Sequence, residues 1–262
     1  MPKCINKVIV FDLDDTIGHF EELSIFLSGL QRIVSKDIKD DFILNLLEVF
    51  PKFIRPGLID ILEMIKKEKK KNKCIKVIIY TNNMGPRSWT LLIKKYLETK
   101  IKYSLFDKVI TAYRPGSYHN CRTTYEKTHH DLIKCTGYPN NSKIIFLDDQ
   151  FHPSMKHKNI KYLHLIPYNY GIEFKQMIKV FLKSKYGKIV QKKHEHQFQN
   201  YMYKYMSSGN INTRYLIKRS KIQKKDIEQL RLIKKEMYKF LDIKRTKHKR
   251  LKKKRSKTRK NK

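Results

Sequence analysis

The sequence has little cysteine, few acidic residues and no long apolar run. Its four cysteines are Cys4, Cys74, Cys121 and Cys135. They lack CxxC spacing, which argues against a disulfide framework and a structural zinc site and favours a reducing compartment. No apolar run approaches the roughly 20 residues of a membrane-spanning helix, and the start of the chain lacks the apolar stretch of a signal peptide. These absences predict an intracellular protein without a membrane segment.

Basic residues greatly outnumber acidic ones, and the excess is uneven along the chain. Lys and Arg number 59 against 24 Asp and Glu, which gives a formal net charge of +35. Residues 183–262 contain 29 of the basic and 5 of the acidic residues. The preceding 182 residues are enough to bury an independent core. We therefore predict one domain over residues 1–182 and a basic tail over residues 183–262.

Short apolar runs alternate with helical patterns along the predicted domain. Runs typical of strands occupy residues 8–11, 75–80, 108–110, 143–147 and 162–166. Three of them contain a continuous apolar stretch, VIVF, VIIY or IIFL, as expected of parallel strands that are covered on both faces. Apolar residues at helical spacing recur between these runs. The alternation predicts an α/β fold with a Rossmann-like parallel sheet, whose site lies at the carboxyl ends of the strands.

Three segments fall outside this alternation. Residues 21–50 predict one or two short helices, which would form either a small lid over the site or a packed insertion. Residues 223–243 have apolar residues at helical spacing and predict a basic amphipathic helix that docks on the body or on a partner. Residues 244–262 contain 13 basic residues and no acidic one, which predicts a disordered end. That end would bind nucleic acid or an acidic partner, direct nuclear import, or only raise solubility.

Acidic residues follow two of the predicted strands directly. The segment VIVFDLDDT places Asp12, Asp14 and Asp15 behind one strand, and IIFLDDQ places Asp148 and Asp149 behind another. Carboxylates this close repel one another unless a cation lies among them or they share protons. If the two strands are parallel neighbours, the carboxylates meet in one crevice. Hard oxygen ligands of this kind favour Mg²⁺.

A third strand end supplies polar groups of another kind. The run VIIY is followed by Thr81, Asn82 and Asn83, whose hydroxyl and amide groups are suited to bind an oxyanion. A phosphate beside several carboxylates also needs a positive group, for which a lysine is the natural candidate. The three strand ends together predict a site for a phosphate-bearing substrate and a divalent cation.

These motifs resemble those of the haloacid dehalogenase (HAD) superfamily. The segment DLDDT at residues 12–16 resembles its first motif, Thr81 its second, and the acidic pair at residues 148–149 its fourth. Within the superfamily, the chain is most similar to the NLI-interacting-factor-like phosphatases, which include those acting on the RNA polymerase II C-terminal domain. The similarity extends to Arg55 followed by proline, and to the segment RTTYEK at residues 122–127.

The resemblance implies a role for each matched residue. The RTTYEK segment selects Lys127 as the lysine of the third motif, ahead of Lys134 and Lys143. Asp12 would be the nucleophile that forms an aspartyl-phosphate, and Asp14 would be the general acid and base. The phosphoryl group would be bound by Thr81, Asn82 and Lys127. The Mg²⁺ ion would be held by Asp12, Asp14 (through its backbone carbonyl), Asp148 and Asp149.

The expected function is that of a Mg²⁺-dependent phosphatase acting on phosphoserine or phosphothreonine in proteins. Two alternatives stay open: a polynucleotide or small-metabolite phosphatase, and a catalytically weak HAD scaffold that binds nucleic acid or an acidic partner through its tail. A cysteine phosphatase built on Cys121 is disfavoured, because the sequence has Lys127 where that chemistry requires an arginine and lacks a glycine-rich loop after it.

Overall fold

The structure is a computed structural model that describes residues 6–34, 38–116, 121–208 and 224–243. These ranges contain five β-strands and eight α-helices, joined by loops and short 3-10 turns. The strands are β1 (Lys7–Phe11), β2 (Ile75–Tyr80), β3 (Lys108–Ile110), β4 (Lys143–Asp148) and β5 (Ile160–His164). The helices are α1 (Glu21–Val34), α2 (Ile43–Val49), α3 (Leu58–Lys71), α4 (Arg87–Ile101), α5 (His129–Thr136), α6 (Phe174–Lys183), α7 (Glu195–Ser208) and α8 (Lys224–Phe240).

All five strands pair in parallel, in the order β3-β2-β1-β4-β5. The central strand β1 lies between β2 and β4, with Phe11 opposite Ile79 on one side and Leu147 on the other. The chain leaves β1 towards β2 and later crosses to β4, so the strand order reverses beside β1. Such a switch point leaves a crevice at the carboxyl ends of the strands. The predicted α/β class and Rossmann-like parallel sheet are confirmed, and only the last strand is shifted, by two residues.

The central strands β1, β2 and β4 each contain four consecutive apolar residues, because both faces of the sheet are covered there. Val8 and Val10 of β1 face the smaller core cluster, which also contains Leu132 of α5. Ile9 and Phe11 face the larger cluster on the opposite side. Side chains alternate between the faces of a strand, so a strand covered on both sides needs apolar residues at every position.

The insertion after β1 forms α1 and α2 and packs into the main core, in agreement with the one or two short helices predicted there. Leu23, Phe26 and Leu30 of α1 are buried, as is Leu46 of α2. The ring of Phe26 meets that of Phe181 on α6 edge to face, with centroids 5.1 Å apart. Residues 21–50 were predicted to form either a small lid or a packed insertion, and their contacts with the body are those of a packed insertion.

The hydrophobic core continues past residue 182, where the charge distribution had placed the end of the domain. Helix α7 packs on α1 and α6 and buries Phe198, Met202 and Met206. These three residues recur every four positions and therefore form one stripe along the helix. Net charge did not reveal this stripe, because the basic residues between positions 183 and 208 lie at exposed positions and the three apolar residues add no charge.

The predicted amphipathic helix near the end of the chain is present as α8 and docks on the body. Ile233 and Met237 are buried against the main core. Leu230 lies so close to Gly57 that a Cβ there would approach its Cδ2 to 2.4 Å, and Gly57 also has a φ of +73°. Glu236 forms an ion pair with Lys161 of β5. The predicted disordered end, residues 244–262, lies outside the described residues.

The cysteine prediction is wrong. Cys121 and Cys135 form a disulfide, with their Cα atoms 5.1 Å apart. The fold brings together the loop before Lys127 and the end of α5, a proximity that a spacing rule cannot detect. The scattered cysteines therefore give no support for a reducing compartment, and Cys121 is not a thiol nucleophile. Within the described ranges, no helix combines the length and the hydropathy needed to cross a bilayer.

Candidate functional site

A small cleft opens at the carboxyl edge of the sheet, where β1, β2 and β4 end side by side. Its volume is about 160 Å³. All of the site residues predicted from the sequence line it: Asp12, Asp14, Thr81, Asn82, Lys127, Asp148 and Asp149. The switch point beside β1 brings these strand ends together, although their residues lie up to 137 positions apart in the chain.

Lys127 bridges the acidic ends of two neighbouring strands. Its Nζ donates to Asp12 Oδ1 at 2.5 Å and to Asp148 Oδ2 at 2.7 Å. All three side chains are buried, Lys127 to 2% exposure. One lysine thus serves two buried carboxyl groups, and its single charge can balance only one of them when both are ionised.

Asp149 adds a third carboxylate to the cluster. Oxygen atoms of Asp12, Asp148 and Asp149 all lie within 4.8 Å of one another. Thr16 holds Asp149 in place through its hydroxyl, which donates to Asp149 Oδ1 at 3.0 Å. Three carboxylate oxygens this close can bind a single small cation, and their hard character fits Mg²⁺.

Burial and the shared lysine act in opposite directions on the carboxyl groups. Burial raises the pKa of Asp12 to about 8 despite the contact with Lys127. Burial acts on Asp148 in the same direction, but the hydrogen bond from His152 and the charge of Lys127 together lower its pKa. The two carboxylates keep the pKa of Lys127 raised although the residue is buried. Of the two carboxyl groups that share Lys127, Asp12 is therefore the one whose ionised form is disfavoured, and a further cation would stabilise that form.

A network in the preceding loop and at the start of α5 fixes the position of Lys127. The hydroxyl of Thr128 caps α5 by accepting from the backbone nitrogen of Asp131 at 2.9 Å. The backbone nitrogen of Thr128 donates to the hydroxyl of Tyr80 at 3.1 Å. Buried Arg122 donates to the two carbonyls that immediately precede Lys127, each at 2.8 Å. Lys127 is thus attached to β2, to α5 and to its own loop.

Asp14 lies in the same cleft but belongs to a different set of contacts. Asn83 donates through Nδ2 to Asp14 Oδ2 at 2.8 Å, and its backbone nitrogen donates to Thr81 Oγ1 at 2.9 Å. Burial raises the pKa of Asp14. Asn82 is exposed, and its Oδ1 accepts from Arg122 at 2.7 Å. Of the two adjacent asparagines, Asn83 therefore reaches the neighbouring carboxylate, whereas the sequence had favoured Asn82 as a site residue.

Two further residues shape the acidic loop, and the sequence assigned neither of them a role. Buried Arg55 donates to the carbonyls of Asp15 at 2.6 Å and Thr16 at 2.7 Å, which supports the left-handed backbone of Asp15 with its φ of 54°. His19 Nδ1 lies 2.6 Å from Asp15 Oδ1. Burial opposes the charge of His19, but hydrogen bonds to Asp15 and Glu22 raise its pKa to about 10. The arginine–proline motif could have identified Arg55 from the sequence. For His19 the only signal in the sequence was its spacing of four residues from Asp15.

The cleft combines groups suited to reaction with a phosphoryl group. It holds a carboxylate beside a buried lysine, a second carboxyl group of raised pKa two residues away, and three oxygens able to share a cation. No family model matches this chain, and no curated protein or solved structure matches it. The residues of the cleft therefore carry the functional inference.

Proposed function

We propose that this protein is a Mg²⁺-dependent phosphomonoester hydrolase of the HAD type, acting on phosphoserine or phosphothreonine in proteins. The observation that carries the proposal is the contact of Lys127 Nζ with both Asp12 and Asp148, at 2.5 and 2.7 Å. A carboxylate that attacks a phosphate dianion brings two negative charges together. A fixed cation beside the attacking oxygen lowers the free energy of that approach.

Asp12 is the nucleophile in this proposal. One of its carboxylate oxygens attacks phosphorus, and a new P–O bond forms as the bond to the serine or threonine oxygen breaks. The products of this step are an aspartyl-phosphate and the leaving oxygen, which takes a proton from Asp14. The carboxylate of Asp14 then accepts a proton from the water that attacks phosphorus. Inorganic phosphate leaves, and both aspartates return to their starting states.

The raised pKa of Asp14 supports its role as the proton donor. A carboxyl group of ordinary pKa would be almost fully ionised at neutral pH and would hold no proton to give. Burial raises the pKa of Asp14 and so increases the protonated fraction. The hydrogen bond from Asn83 fixes the direction of its carboxyl group.

Lys127 and Thr81 would bind the oxygens of the transferred group. The Thr81 hydroxyl oxygen accepts from the backbone nitrogen of Asn83, which leaves its hydrogen available for a phosphoryl oxygen. Both Thr81 and Lys127 are fixed by burial, at 1% and 2% exposure. Such preorganised donors require little rearrangement as charge develops on the phosphoryl oxygens.

Asp12, Asp148 and Asp149 would hold the Mg²⁺ ion, together with the backbone carbonyl of Asp14. The three carboxylates fit this role because their oxygens lie within 4.8 Å of one another and are hard ligands. When bound, the ion would neutralise negative charge on the phosphoryl oxygens. It would also offset the charge that Lys127 leaves unbalanced when both buried carboxyl groups are ionised.

The first test compares Asp12→Asn with a matched variant, Asp107→Asn. Asp107 also accepts from a lysine, Lys69, at 2.5 Å, but it lies outside the cleft. With p-nitrophenyl phosphate and Mg²⁺, Asp12→Asn should lower turnover by roughly 10³-fold or more, because the nucleophile is lost. Asp107→Asn should retain activity. Turnover by Asp12→Asn near the wild-type rate would remove Asp12 from this role.

A second test detects the intermediate itself. Hydroxylamine cleaves acyl phosphates and would convert the phosphorylated Asp12 into a hydroxamate, which mass spectrometry can locate. The modification should require both substrate and Mg²⁺ and should be absent from Asp12→Asn. If the wild-type protein shows no Mg²⁺-dependent turnover of any phosphomonoester, the catalytically weak scaffold becomes the better description.

A further inference from the structure

A larger groove adjoins the cleft and shares Asp14, Asp15 and Asn83 with it. It runs between α1 and the start of α4, and its volume is about 580 Å³. That volume lies within the range of pockets that bind drug-sized ligands. A phosphomonoester whose phosphorus lies beside Asp12 would extend its leaving group past Asp14 and into this groove.

The charge of the groove differs from that of the chain as a whole. Glu21 and Asp40 line it in addition to the two aspartates of the cleft. None of the described residues that line it is Lys or Arg, although these types make up 59 of the 262 residues. His19 also lines the groove, but it forms ion pairs with Asp15 and Glu22. The groove is therefore negative within a strongly positive protein.

Glu21 and Asp40 are available to a ligand. Both are exposed, and within the described ranges neither forms an ion pair with a basic side chain. Asp40 accepts a hydrogen bond from Gln31 at 3.0 Å, which leaves its negative charge uncompensated. The two carboxylates would repel the phosphates of a polynucleotide and attract a cationic group.

The same groove has an apolar wall and groups that bind amides. Leu27, Trp89 and Leu92 contribute apolar surface, and Met84 is 61% exposed at its edge. Hydroxyl and amide side chains of α1, including those of Ser28 and Gln31, lie along the same groove. A peptide satisfies all of these features, because its backbone amides bind polar side chains while its own side chains provide apolar and cationic groups.

We propose that this groove binds the peptide next to the phosphorylated residue and selects a sequence with a bulky apolar side chain and a Lys or Arg. The inference rests on the proposed phosphatase function and names its substrate class. It also separates the two polymers that the sequence left open, because a polynucleotide carries the wrong charge for this surface.

The test uses three phosphoserine peptides of equal length and the full-length protein with Mg²⁺. The first peptide carries Leu and Lys beside the phosphoserine, the second carries Leu and Glu, and the third carries Gly and Lys. The wild-type protein should show the highest kcat/KM with the first peptide, by roughly fivefold, as expected for two partly exposed charge pairs. A 3′-phosphorylated oligonucleotide should be hydrolysed more slowly than all three peptides.

Variants then assign the selectivity to the groove. Glu21→Lys combined with Asp40→Lys should reverse the preference between the first two peptides, and the neutral pair Glu21→Gln with Asp40→Asn should abolish it. Met84→Ser should reduce the advantage of Leu over Gly. Glu173→Lys changes an exposed carboxylate outside the groove and is the matched control, which should behave as wild type. All of these variants keep Asp12, Asp14 and Lys127 and should still hydrolyse p-nitrophenyl phosphate with Mg²⁺.

The outcomes distinguish failure of this inference from failure of the proposed function. Equal kcat/KM for the first two peptides, a preference for the oligonucleotide, or the same selectivity in the groove variants and in Glu173→Lys would overturn the groove assignment. If the wild-type protein fails to hydrolyse p-nitrophenyl phosphate, the phosphatase function fails instead. Fluorescence anisotropy with unphosphorylated peptides then tests the groove alone. Tighter binding of the Lys peptide, lost in the Lys double variant, would support it, and equal binding would overturn it.

Discussion

Replacing Lys127 by methionine tests whether the carboxylate cluster depends on a cation. Lys127 is 2% exposed, and its Nζ is the atom that joins Asp12 to Asp148. Methionine retains most of the aliphatic volume but removes the charge and both hydrogen bonds. Two buried carboxylates then face each other with no lysine between them. Removing one partner of a buried ion pair costs about 3–5 kcal/mol, because the remaining charge is uncompensated.

Three measurements follow from this change. Urea unfolding without divalent cations should show a loss of about 3–5 kcal/mol in the free energy of unfolding. Mg²⁺ should stabilise the variant more than the wild type, since it restores a positive charge to the cluster; saturation at 100 times Kd corresponds to about 2.7 kcal/mol. With p-nitrophenyl phosphate, kcat/KM should fall by about 100-fold or more, because a fixed donor to the phosphoryl group is lost.

Lys69→Met is the matched control. Lys69 is also buried, and its Nζ donates to Asp107 Oδ2 at 2.5 Å and to the carbonyl of Leu105 at 2.6 Å. It contacts one carboxylate rather than two, and that carboxylate keeps a hydrogen bond from the backbone nitrogen of Val77 at 2.7 Å. The control should lose about 1–3 kcal/mol of stability without any change in turnover or any particular response to Mg²⁺.

The reasoning is refuted if Lys127→Met unfolds with a free energy within about 1 kcal/mol of the wild-type value, well below the expected cost of a broken buried pair. It is also refuted if Mg²⁺ stabilises Lys127→Met no more than the wild type. Either result would mean that the three carboxylates are already neutralised by protonation or by solvent. The cluster would then not require a cation.

Two further predictions concern the surroundings of the cleft. His19→Gln should lower the free energy of unfolding below pH 6.5. In that range the interaction of protonated His19 with Asp15 and Glu22 contributes fully to stability. The pKa of folded His19 is raised from 6.5 to about 10, so this contribution is lost as the pH rises through 10. The free energies of unfolding of wild type and variant, measured in urea, should therefore differ by on the order of 3 kcal/mol below pH 6.5 and converge near pH 10. A gap that does not change with pH would contradict this account. Replacing Cys121 and Cys135 by serine should lower the free energy of unfolding by about 3 kcal/mol, because the disulfide closes a loop with a sequence separation of 14. Reductant should lower the stability of the wild type in guanidinium unfolding by at least this amount, because Cys74 is disulfide-bonded as well. A wild type that does not respond to reductant would refute the prediction.

The sequence alone determined the strands and the residues at their carboxyl ends. Continuous apolar runs identified β1, β2 and β4, because a strand buried on both faces needs apolar residues at every position. The carboxylates behind β1 and β4 stood out because several like charges follow one another directly and repel unless a cation or shared protons relieve them. A resemblance in short motifs then selected Lys127 from among many lysines, and the structure places Lys127 between Asp12 and Asp148.

Other features depended on contacts between segments that lie far apart in the chain. Asn82 and Asn83 have the same side chain, and only the course of the backbone after β2 decides which one reaches Asp14. The disulfide requires the loop before Lys127 to lie against the end of α5. The helix α7 joined the core through three apolar residues that a count of charges could not detect.

The set of chemical groups at the edge of the sheet can thus be read from the sequence, because local patterns fix where a strand ends and which residues follow it. The tertiary structure decided which of these groups meet. It also decided that the groove beside them is negative in a chain of net charge +35, since the position of α1 opposite the start of α4 brings a few acidic residues to that surface. The distances between segments and the charge of one surface are set only when the helices and the sheet pack together. A local sequence pattern therefore cannot predict them.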